Sequence, residues 1–289
     1  MDKIKPILAV IGGSGLYNMP DLKEIQHFDL DTPFGKPSAP VVVGQLEGQS
    51  VAFLARHGIG HHISPSEINY RANIFALKSL GIDRVLSISA CGSLREDYAP
   101  GHIIVPDQIF DFTRNRPRSF FGEGLVAHIS VADPYCPDFS NILFKALGET
   151  KASVHFGGTY ITIEGPRFST RGESNVFRSW GISLIGMTAS PEVFLAREAE
   201  MCYATMAHVT DYDVWHVNEE PVTLEMVIRT LNQNTEKAQI AVKNILHLLT
   251  PERHCNCSSA LASAIITQPD RIPLATRRKL NLLVEKYLK

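Results

Sequence analysis

The chain of 289 residues lacks any long apolar run and any marked excess of charge of one sign. Its 28 lysines and arginines oppose 30 aspartates and glutamates, so no broad field favours nucleic acid or an anionic membrane. The first apolar run, residues 7–11, is far too short to cross a bilayer, and no secretory apolar segment precedes it. We therefore expect a cytoplasmic protein with neither nucleic-acid nor membrane partners.

Cysteine is also scarce. The five cysteines lie at scattered positions, 91, 136, 202, 255 and 257. An odd number at these spacings fits neither a disulfide framework nor a zinc ribbon, and we expect free thiols. Pairing of Cys255 with Cys257, or of Cys136 with Cys202, stays open. His57, His61 and His62 cluster in sequence but lack the further ligands of a familiar metal site, so we expect no metal.

The sequence contains no internal repeat, low-complexity tract or Ser/Pro-rich linker. Its 44% hydrophobic and 20% charged residues are typical of a globular protein. We therefore predict one domain over residues 1–289, with C-terminal helices from about residue 255. Strands are predicted at 7–11, 41–46, 51–55, 84–90, 102–106, 158–163, 183–187 and 201–209. Helices are predicted at 66–80, 138–148, 171–180, 190–200 and 223–249. Residues 114–124 are polar and are predicted to form a surface loop.

The most informative stretch is the buried strand at 201–209 and the two acids that follow it. Asp211 and Asp213 are spaced by two, which puts both carboxylates on one face of an extended chain. Ligands bind at strand ends in open α/β sheets, and the amino edge of adenine would supply hydrogen-bond donors there. On spacing alone, a pair of solvated loop acids remains the commoner arrangement.

Several polar groups follow other predicted strands. Ser14 lies in a glycine turn after the first strand, where it could contact an anion, but the glycine pattern is incomplete for a dinucleotide site. Arg56 and His57 end the strand at 51–55 and are natural phosphate ligands. Ser89 brings a hydroxyl to the next strand end. Cys91 beside it is interpreted as a small buried thiol and not as a nucleophile.

The ordered motifs together carry a resemblance. They are Ile11–Gly15, Asp31–Pro37, Ala55–Gly58, Ala90–Leu94, Thr162–Phe168, Met187–Glu192 and Thr210–Asp213. This set resembles the trimeric purine nucleoside phosphorylase family, and within it the branch that acts on 5′-methylthioadenosine, over residues 7–250. The resemblance implies an α/β fold with a mixed central β-sheet flanked by helices.

The resemblance also implies roles for individual residues. Those matching the family's phosphate ligands are Ser14, Arg56, His57, Ser89, Ala90 and Thr188. Those matching its nucleoside contacts are Phe168, Ser169, Met187, Asp211, Asp213, Leu224, Val227, Ile228 and, from a neighbouring subunit, His128. The chain departs from the family pattern at residues 187–191, where a second threonine is more usual, but Thr188 is retained.

The implied activity is reversible phosphorolysis of S-methyl-5′-thioadenosine to adenine and 5-methylthioribose 1-phosphate by a homotrimer. Asp211 would protonate purine N7 and Asp213 would accept from the 6-amino group, with His57 on the phosphate. Phosphate is a co-substrate, and we expect no cofactor. The alternatives are a phosphorylase for 6-oxopurine nucleosides or methylthioinosine, a non-catalytic nucleoside-binding sensor, and a Rossmann-type oxidoreductase.

Overall fold

The computed structural model describes residues 5–13, 16, 19, 21–216 and 224–288, apart from the side chains of 224 and 226–234. The strands are β1 (Leu8–Gly12), β2 (Lys23–Phe28), β3 (Val41–Leu46), β4 (Gln49–Ala55), β5 (Arg84–Ser93), β6 (Ile103–Val105), β7 (Gln108–Phe112), β8 (Val154–Phe156), β9 (Thr159–Ile163), β10 (Leu184–Gly186) and β11 (Cys202–Asp211). The helices are α1 (Tyr70–Ser79), α2 (Pro137–Gly148), α3 (Arg171–Ser179), α4 (Ala189–Glu198), α5 (Leu224–Leu248), α6 (Leu274–Lys279) and α7 (Asn281–Val284). Among the described helices, none has the length and apolarity needed to traverse a lipid bilayer.

The eleven described strands form one mixed sheet, in which β2, β3, β4, β1, β5, β10, β9 and β7 lie in that order. Strand β11 runs parallel to β5 and antiparallel to β6. Strand β5 is long enough to change partners: Arg84 to Gly92 pair with β11, while Gly92 and Ser93 also pair with β10. The carboxyl ends of β1, β4 and β11 therefore meet beside the second half of β5. The predicted fold class, a mixed sheet flanked by helices, is confirmed.

Two apolar layers cover the sheet, and β1 contributes to both because its side chains alternate between the faces. Leu8 and Val10 pack into the layer shared with α2 and α5. Ala9 and Ile11 pack into the layer shared with α1 and α4. A strand buried on both faces is the expected structure for the continuous apolar run in this part of the sequence.

Several predicted boundaries need correction. The helix predicted from residue 66 begins at Tyr70, because the Asn69 side chain accepts a hydrogen bond from Ala72 N and caps it there. Residues 256–259 form a 3₁₀ turn, and the last two helices, α6 and α7, are short. Strands β2, β7 and β8 were not predicted.

Candidate active site

Arg56, a predicted phosphate ligand, is a buried charged group. It follows β4 and forms a two-pronged ion pair with Glu192 of α4, with Nε–Oε2 at 2.8 Å and Nη2–Oε1 at 2.9 Å. Nη1 also donates to Ile88 O at 3.1 Å, and Nη2 to Ser87 Oγ at 2.7 Å. Tyr203 OH donates to Glu192 Oε1 at 2.8 Å. These contacts fix the guanidinium at the junction of β1, β4 and β5.

His57 is held in one orientation beside Arg56. Its Nδ1 lies 2.9 Å from Ile63 O, and its ring stacks on His61 with centroids 4.2 Å apart. Burial lowers the pKa of His57 to about 4, against the opposing effect of the Ile63 hydrogen bond. The ring is therefore neutral at pH 7. Because a carbonyl can only accept, Nδ1 carries the proton and Nε2 is an acceptor.

Two hydroxyls predicted to bind phosphate lie on neighbouring elements. Ser89 is buried within β5, one residue before Ala90, and its Oγ has no well-formed hydrogen bond to any described residue. Thr188 is buried immediately before α4 and makes no capping hydrogen bond to that helix. A buried hydroxyl without a protein partner costs free energy, which a bound oxyanion would offset. The prediction that Ser89 ends its strand was wrong, because β5 continues to Ser93.

Asp211 and Asp213 are brought together by a turn. Asp211 is the last residue of β11, and a register shift against β5 precedes it. Asp213 has a φ of 51°, and its N–H donates to Asp211 Oδ1 at 2.8 Å. The prediction that an extended backbone aligns these side chains was therefore wrong, because the chain leaves the sheet between them. Their proximity was predicted correctly.

Burial controls the ionisation of both acids. It raises the pKa of Asp211 to about 6, against hydrogen bonds from Thr210 Oγ1 at 2.5 Å and Asp213 N. Burial also raises the pKa of Asp213, although the nearby hydroxyls of Ser174 and Ser169 oppose it. Neither hydroxyl completes a well-formed bond to Asp213 Oδ2, which is buried and has no partner among the described residues. Asp213 thus presents an unused acceptor.

Glycine at position 92 allows the acids to pack against β5. A Cβ there would lie 2.9 Å from Asp211 Oδ1 and 3.3 Å from the Cβ of Asp213. Thr210 Oγ1 also lies 3.2 Å from Cys91 O, which places the acid-bearing turn against the same strand. Only three positions of β5 separate Gly92 from Ser89. Ser89, a predicted phosphate ligand, and the acid pair therefore lie along the same strand, about 10 Å apart along its length.

Arg116 holds two segments that carry predicted nucleoside contacts. Its Nη1 donates to Met187 O at 2.7 Å and Ser190 O at 2.8 Å, and its Nη2 donates to Glu164 O at 2.7 Å. Arg116 thus fixes both the segment before Phe168 and the segment containing Thr188. The prediction that residues 114–124 lie wholly on the surface was wrong for Arg116, which is buried.

The other predicted contacts differ in exposure. Phe168 is 41% exposed, and Ser169 follows it with its hydroxyl buried. His128 is exposed, and its backbone N–H donates to Ala264 O at 2.8 Å. Within the described part of the chain, the His128 side chain forms no hydrogen bond or ion pair with either acid. Ser14 and the side chains of Leu224, Val227 and Ile228 lie outside the described residues.

Glu192, Tyr203 and Ser87 form the shell around Arg56 and were not predicted as site residues. Glu192 had a detectable sequence signal, because it is an acid inside an otherwise apolar helix start, Pro191–Leu195. A buried acid of this kind requires a cationic partner. Tyr203 and Ser87 gave no such signal, since both occur within ordinary apolar strands.

Comparison with known proteins gives a consistent result. The profile described as "Phosphorylase superfamily" matches residues 7–247. The S-methyl-5′-thioadenosine phosphorylase of Chloroflexus aurantiacus is 52% identical over 97% of this chain and 98% of its own length. That of Koribacter versatilis is 48% identical over 97% of this chain and 96% of its own.

Solved structures agree with these matches. A methylthioadenosine phosphorylase from an Antarctic soil metagenomic library superposes with a TM-score of 0.93 at 44% identity, covering 97% of this chain and 99% of that one. The methylthioadenosine phosphorylase of Schistosoma mansoni, solved with adenine, gives a TM-score of 0.83 at 34% identity, covering 97% and 98%.

Proposed function

The chain belongs to the phosphorylase superfamily, and from this premise we propose that it catalyses the reversible phosphorolysis of S-methyl-5′-thioadenosine. The products are adenine and 5-methylthioribose 1-phosphate, so the enzyme is a pentosyltransferase that acts in purine and methionine salvage. The observation that carries the proposal is the buried acid pair, Asp211 and Asp213, connected through β5 to Ser89 and the Arg56 site.

The phosphate side supports electrostatic and positional catalysis. Arg56 supplies positive charge, and the hydroxyls of Ser89 and Thr188 donate to phosphate oxygens. His57 is neutral and accepts at Nε2, so it binds the O–H of monoprotonated phosphate or takes that proton as a general base. By family resemblance, Ser14 and the Ala90 amide complete the set. No organic cofactor is required in this scheme.

The bond changes follow from these positions. A phosphate oxygen forms a bond to C1′ while the C1′–N9 bond breaks and its electron pair moves into the purine. Asp211 donates a proton to N7, so that adenine leaves neutral, and the acid is reprotonated from solvent afterwards. A pKa of about 6 allows Asp211 to hold this proton near neutral pH more readily than an ordinary aspartate.

Asp213 supports the choice of a 6-aminopurine. Its unpartnered Oδ2 accepts from the 6-amino group of adenine, whereas a 6-oxopurine would place an oxygen lone pair against it. A buried polar group left unpaired costs about 1–3 kcal/mol, so the mismatch discriminates strongly. Phe168 would stack on the base, Ser169 would contact its edge, and Met187 would face the ribose.

Three apolar residues of α5 are proposed to contact the 5′ substituent of the nucleoside. Leu224, Val227 and Ile228 occupy positions i, i+3 and i+4 of α5 and therefore share one face of that helix. An apolar wall of this kind favours methylthio over hydroxyl by about 1–3 kcal/mol. We therefore propose a preference for methylthioadenosine over adenosine.

We further propose a homotrimer in the cytoplasm. His128 is exposed in the single chain, which suits a residue that reaches a neighbouring site. An apolar surface around Trp180, Phe110 and Val176, which are 52%, 41% and 43% exposed, supports a subunit contact. The Phe110 and Trp180 rings lie 5.8 Å apart and form a continuous patch.

A substrate panel with and without phosphate tests the function. The panel contains methylthioadenosine, adenosine, methylthioinosine, inosine and guanosine. We expect release of adenine only when phosphate is present, with methylthioadenosine the best substrate. Binding without turnover would favour the sensor, and faster cleavage of methylthioinosine or inosine would favour the 6-oxopurine alternative.

A further inference from the structure

Four cysteines from three separate segments of the chain converge at the opposite end of β11 from the acid pair. The Sγ atoms of Cys136, Cys202, Cys255 and Cys257 all lie within 4.8 Å of one another. Cys202 begins β11 and Asp211 ends it, a separation of about 30 Å along a strand at about 3.3 Å per residue. This four-cysteine cluster is therefore separate from the proposed catalytic site.

The cluster is enclosed, and its sulfurs are not bonded to one another. Cys136, Cys202 and Cys257 are buried and Cys255 is half-buried, and all four are free cysteines. Cys202 Sγ and Cys255 Sγ lie 3.3 Å apart. Four thiols from three separate segments could all be buried without their sulfur atoms lying together. That these sulfur atoms surround a common centre indicates a site and not only apolar packing.

Positive electrostatic groups surround this centre. Cys136 caps the N-terminus of α2, and Phe139 N donates to its sulfur at 3.5 Å. Arg197 Nη1 donates to Cys257 Sγ at 3.4 Å. The Arg253 guanidinium lies beside Cys202 and Cys255. Helix N-termini and guanidinium groups stabilise negative sulfur, which is the form that binds metal.

We propose that Cys136, Cys202, Cys255 and Cys257 bind one zinc ion as a structural tetrathiolate site. Zinc takes four thiolates at about 2.3 Å, which places the sulfurs of a tetrahedron about 3.8 Å apart. The sulfur–sulfur distances in the cluster include 3.3 Å between Cys202 and Cys255 and are at most 4.8 Å, a spread that includes this separation and suits a single ion. Binding releases a proton from each thiol that was not already ionised, and the two arginines offset the charge of the resulting anionic site.

The zinc would join three parts of the fold without taking part in the reaction. A site with four protein ligands has no open position for substrate. It would connect the start of β11, the first turn of α2 and the segment at residues 255–257. That segment leads to Ala264, whose carbonyl accepts from His128 N at 2.8 Å. Zinc would therefore also stabilise the backbone that presents His128.

Metal content of the untagged wild-type protein, purified with a phosphine reductant and without chelators, tests this proposal. We expect about one zinc per chain, as for a closed structural site. Replacement by cobalt(II) should give thiolate-to-cobalt charge transfer and the visible bands of a tetrahedral site. Chelation should lower the melting temperature. Zinc-free protein with all thiols titratable, disulfide-bonded cysteines under these conditions, or bound iron would each overturn the proposal.

Two variants and a matched control complete the test. Cys255→Ser/Cys257→Ser should lower the affinity for zinc by at least about tenfold and abolish the effect of chelator on melting. The single variant Cys255→Ser replaces the half-buried ligand and provides a folded protein if the double variant is unstable. Cys91→Ala removes a buried thiol outside the cluster and should retain zinc. Full zinc binding by both cluster variants would contradict the assignment.

Discussion

Asp211 is a carboxyl group held where negative charge is poorly solvated. Burial raises its pKa from 3.8 to about 6, so the folded state binds this proton more tightly than the unfolded state. The contribution of Asp211 to the free energy of unfolding is therefore most favourable below about pH 4 and is lost as pH rises through about 6. Above that pH the ionised group remains a net cost to stability.

We predict that Asp211→Asn stabilises the protein at pH 8 while abolishing cleavage of methylthioadenosine. The gain should be about 2–3 kcal/mol, since one pKa unit corresponds to about 1.4 kcal/mol, and it should shrink towards pH 4. Urea unfolding at pH 4, 6 and 8 measures it. The exposed Asp133→Asn is the control and should not reproduce the pH-dependent gain. If Asp211→Asn were less stable than wild type at pH 8, the ionised Asp211 carboxylate would not destabilise the folded protein, and the prediction would be wrong.

Arg56 has two functions that a single substitution would confound. We predict that Arg56→Ala raises the KM for phosphate at least about tenfold, since a charged hydrogen bond contributes about 1.5–3 kcal/mol. It should also destabilise the fold by about 3–5 kcal/mol, because Glu192 would remain buried without its partner. Steady-state kinetics and urea unfolding measure the two effects.

The double variant Arg56→Ala/Glu192→Gln separates these effects. Removing both charges should recover most of the lost stability and none of the phosphate affinity. Tyr203→Phe, which removes only one hydrogen bond to Glu192, is a milder control. If the double variant binds phosphate normally, Arg56 acts only as a structural partner of Glu192.

At the scale of elements, β5 organises the site because it contacts β1, β11 and β10 along its length. We predict that Gly92→Ala lowers activity on methylthioadenosine by displacing the acid pair, with a destabilisation of about 1–3 kcal/mol. Its added Cβ would also lie 3.0 Å from Ile185 Cγ2. The measurements are kcat, KM and adenine binding by calorimetry.

Gly148→Ala is the matched control for this substitution. Gly148 ends α2, and a Cβ there would meet nothing within 4 Å, so the change should be neutral or slightly stabilising. If Gly92→Ala had wild-type activity, the turn carrying Asp213 could be displaced without loss of function. That result would contradict the proposal that Asp211 and Asp213 must be held in place to hydrogen-bond to the purine.

Elements with strong local patterns could be predicted from sequence. The β3–β4 hairpin was found from two apolar strands joined at Glu47–Gly48, both of which have positive φ. Ser190 and Pro191 were predicted to begin a helix. In the structure Ser190 has an extended backbone within α4, and the regular helical turns begin after it, as predicted. Helix α3 begins with a capping box between Thr170 and Glu173, a purely local interaction.

Features that depend on long-range contacts could not be predicted in this way. Arg116 is buried because it meets backbone oxygens at Met187 and Glu164, which lie far away in sequence. The short strand β8 forms only because β6 offers it a parallel partner. The cysteine cluster likewise arises from the packing of three segments, so spacing along the chain gave no indication of it.

At the scale of the whole molecule, one chain does not bring every predicted site residue together. His128 lies on a segment that pairs with the C-terminal region through a bridge between Ala127 and Ile265. Its side chain is exposed, and among the described residues it forms no hydrogen bond or ion pair with Asp211 or Arg56. If His128 acts in a neighbouring subunit, each active site depends on two chains and activity depends on assembly.

Complementation between two defective variants tests this dependence directly. His128→Ala lacks the donated residue, and Asp211→Asn lacks the acid. A His128→Ala subunit still has Asp211, and an Asp211→Asn subunit still has His128. In a closed trimer, the site of a His128→Ala subunit is therefore complete when the neighbour that supplies its histidine is an Asp211→Asn subunit. Random mixing at equal amounts should therefore restore about a quarter of wild-type activity, because half of the sites keep Asp211 and half of those receive an intact His128.

The mixture should be co-expressed with two different affinity tags, so that hetero-oligomers can be isolated and their mass measured by light scattering. Each variant alone should have low activity on methylthioadenosine. Mixing the separately assembled variants without subunit exchange is the control and should give only the average of the two. If His128 instead acted within its own chain, no subunit of the hetero-oligomer would contain a complete site, and co-expression would restore nothing.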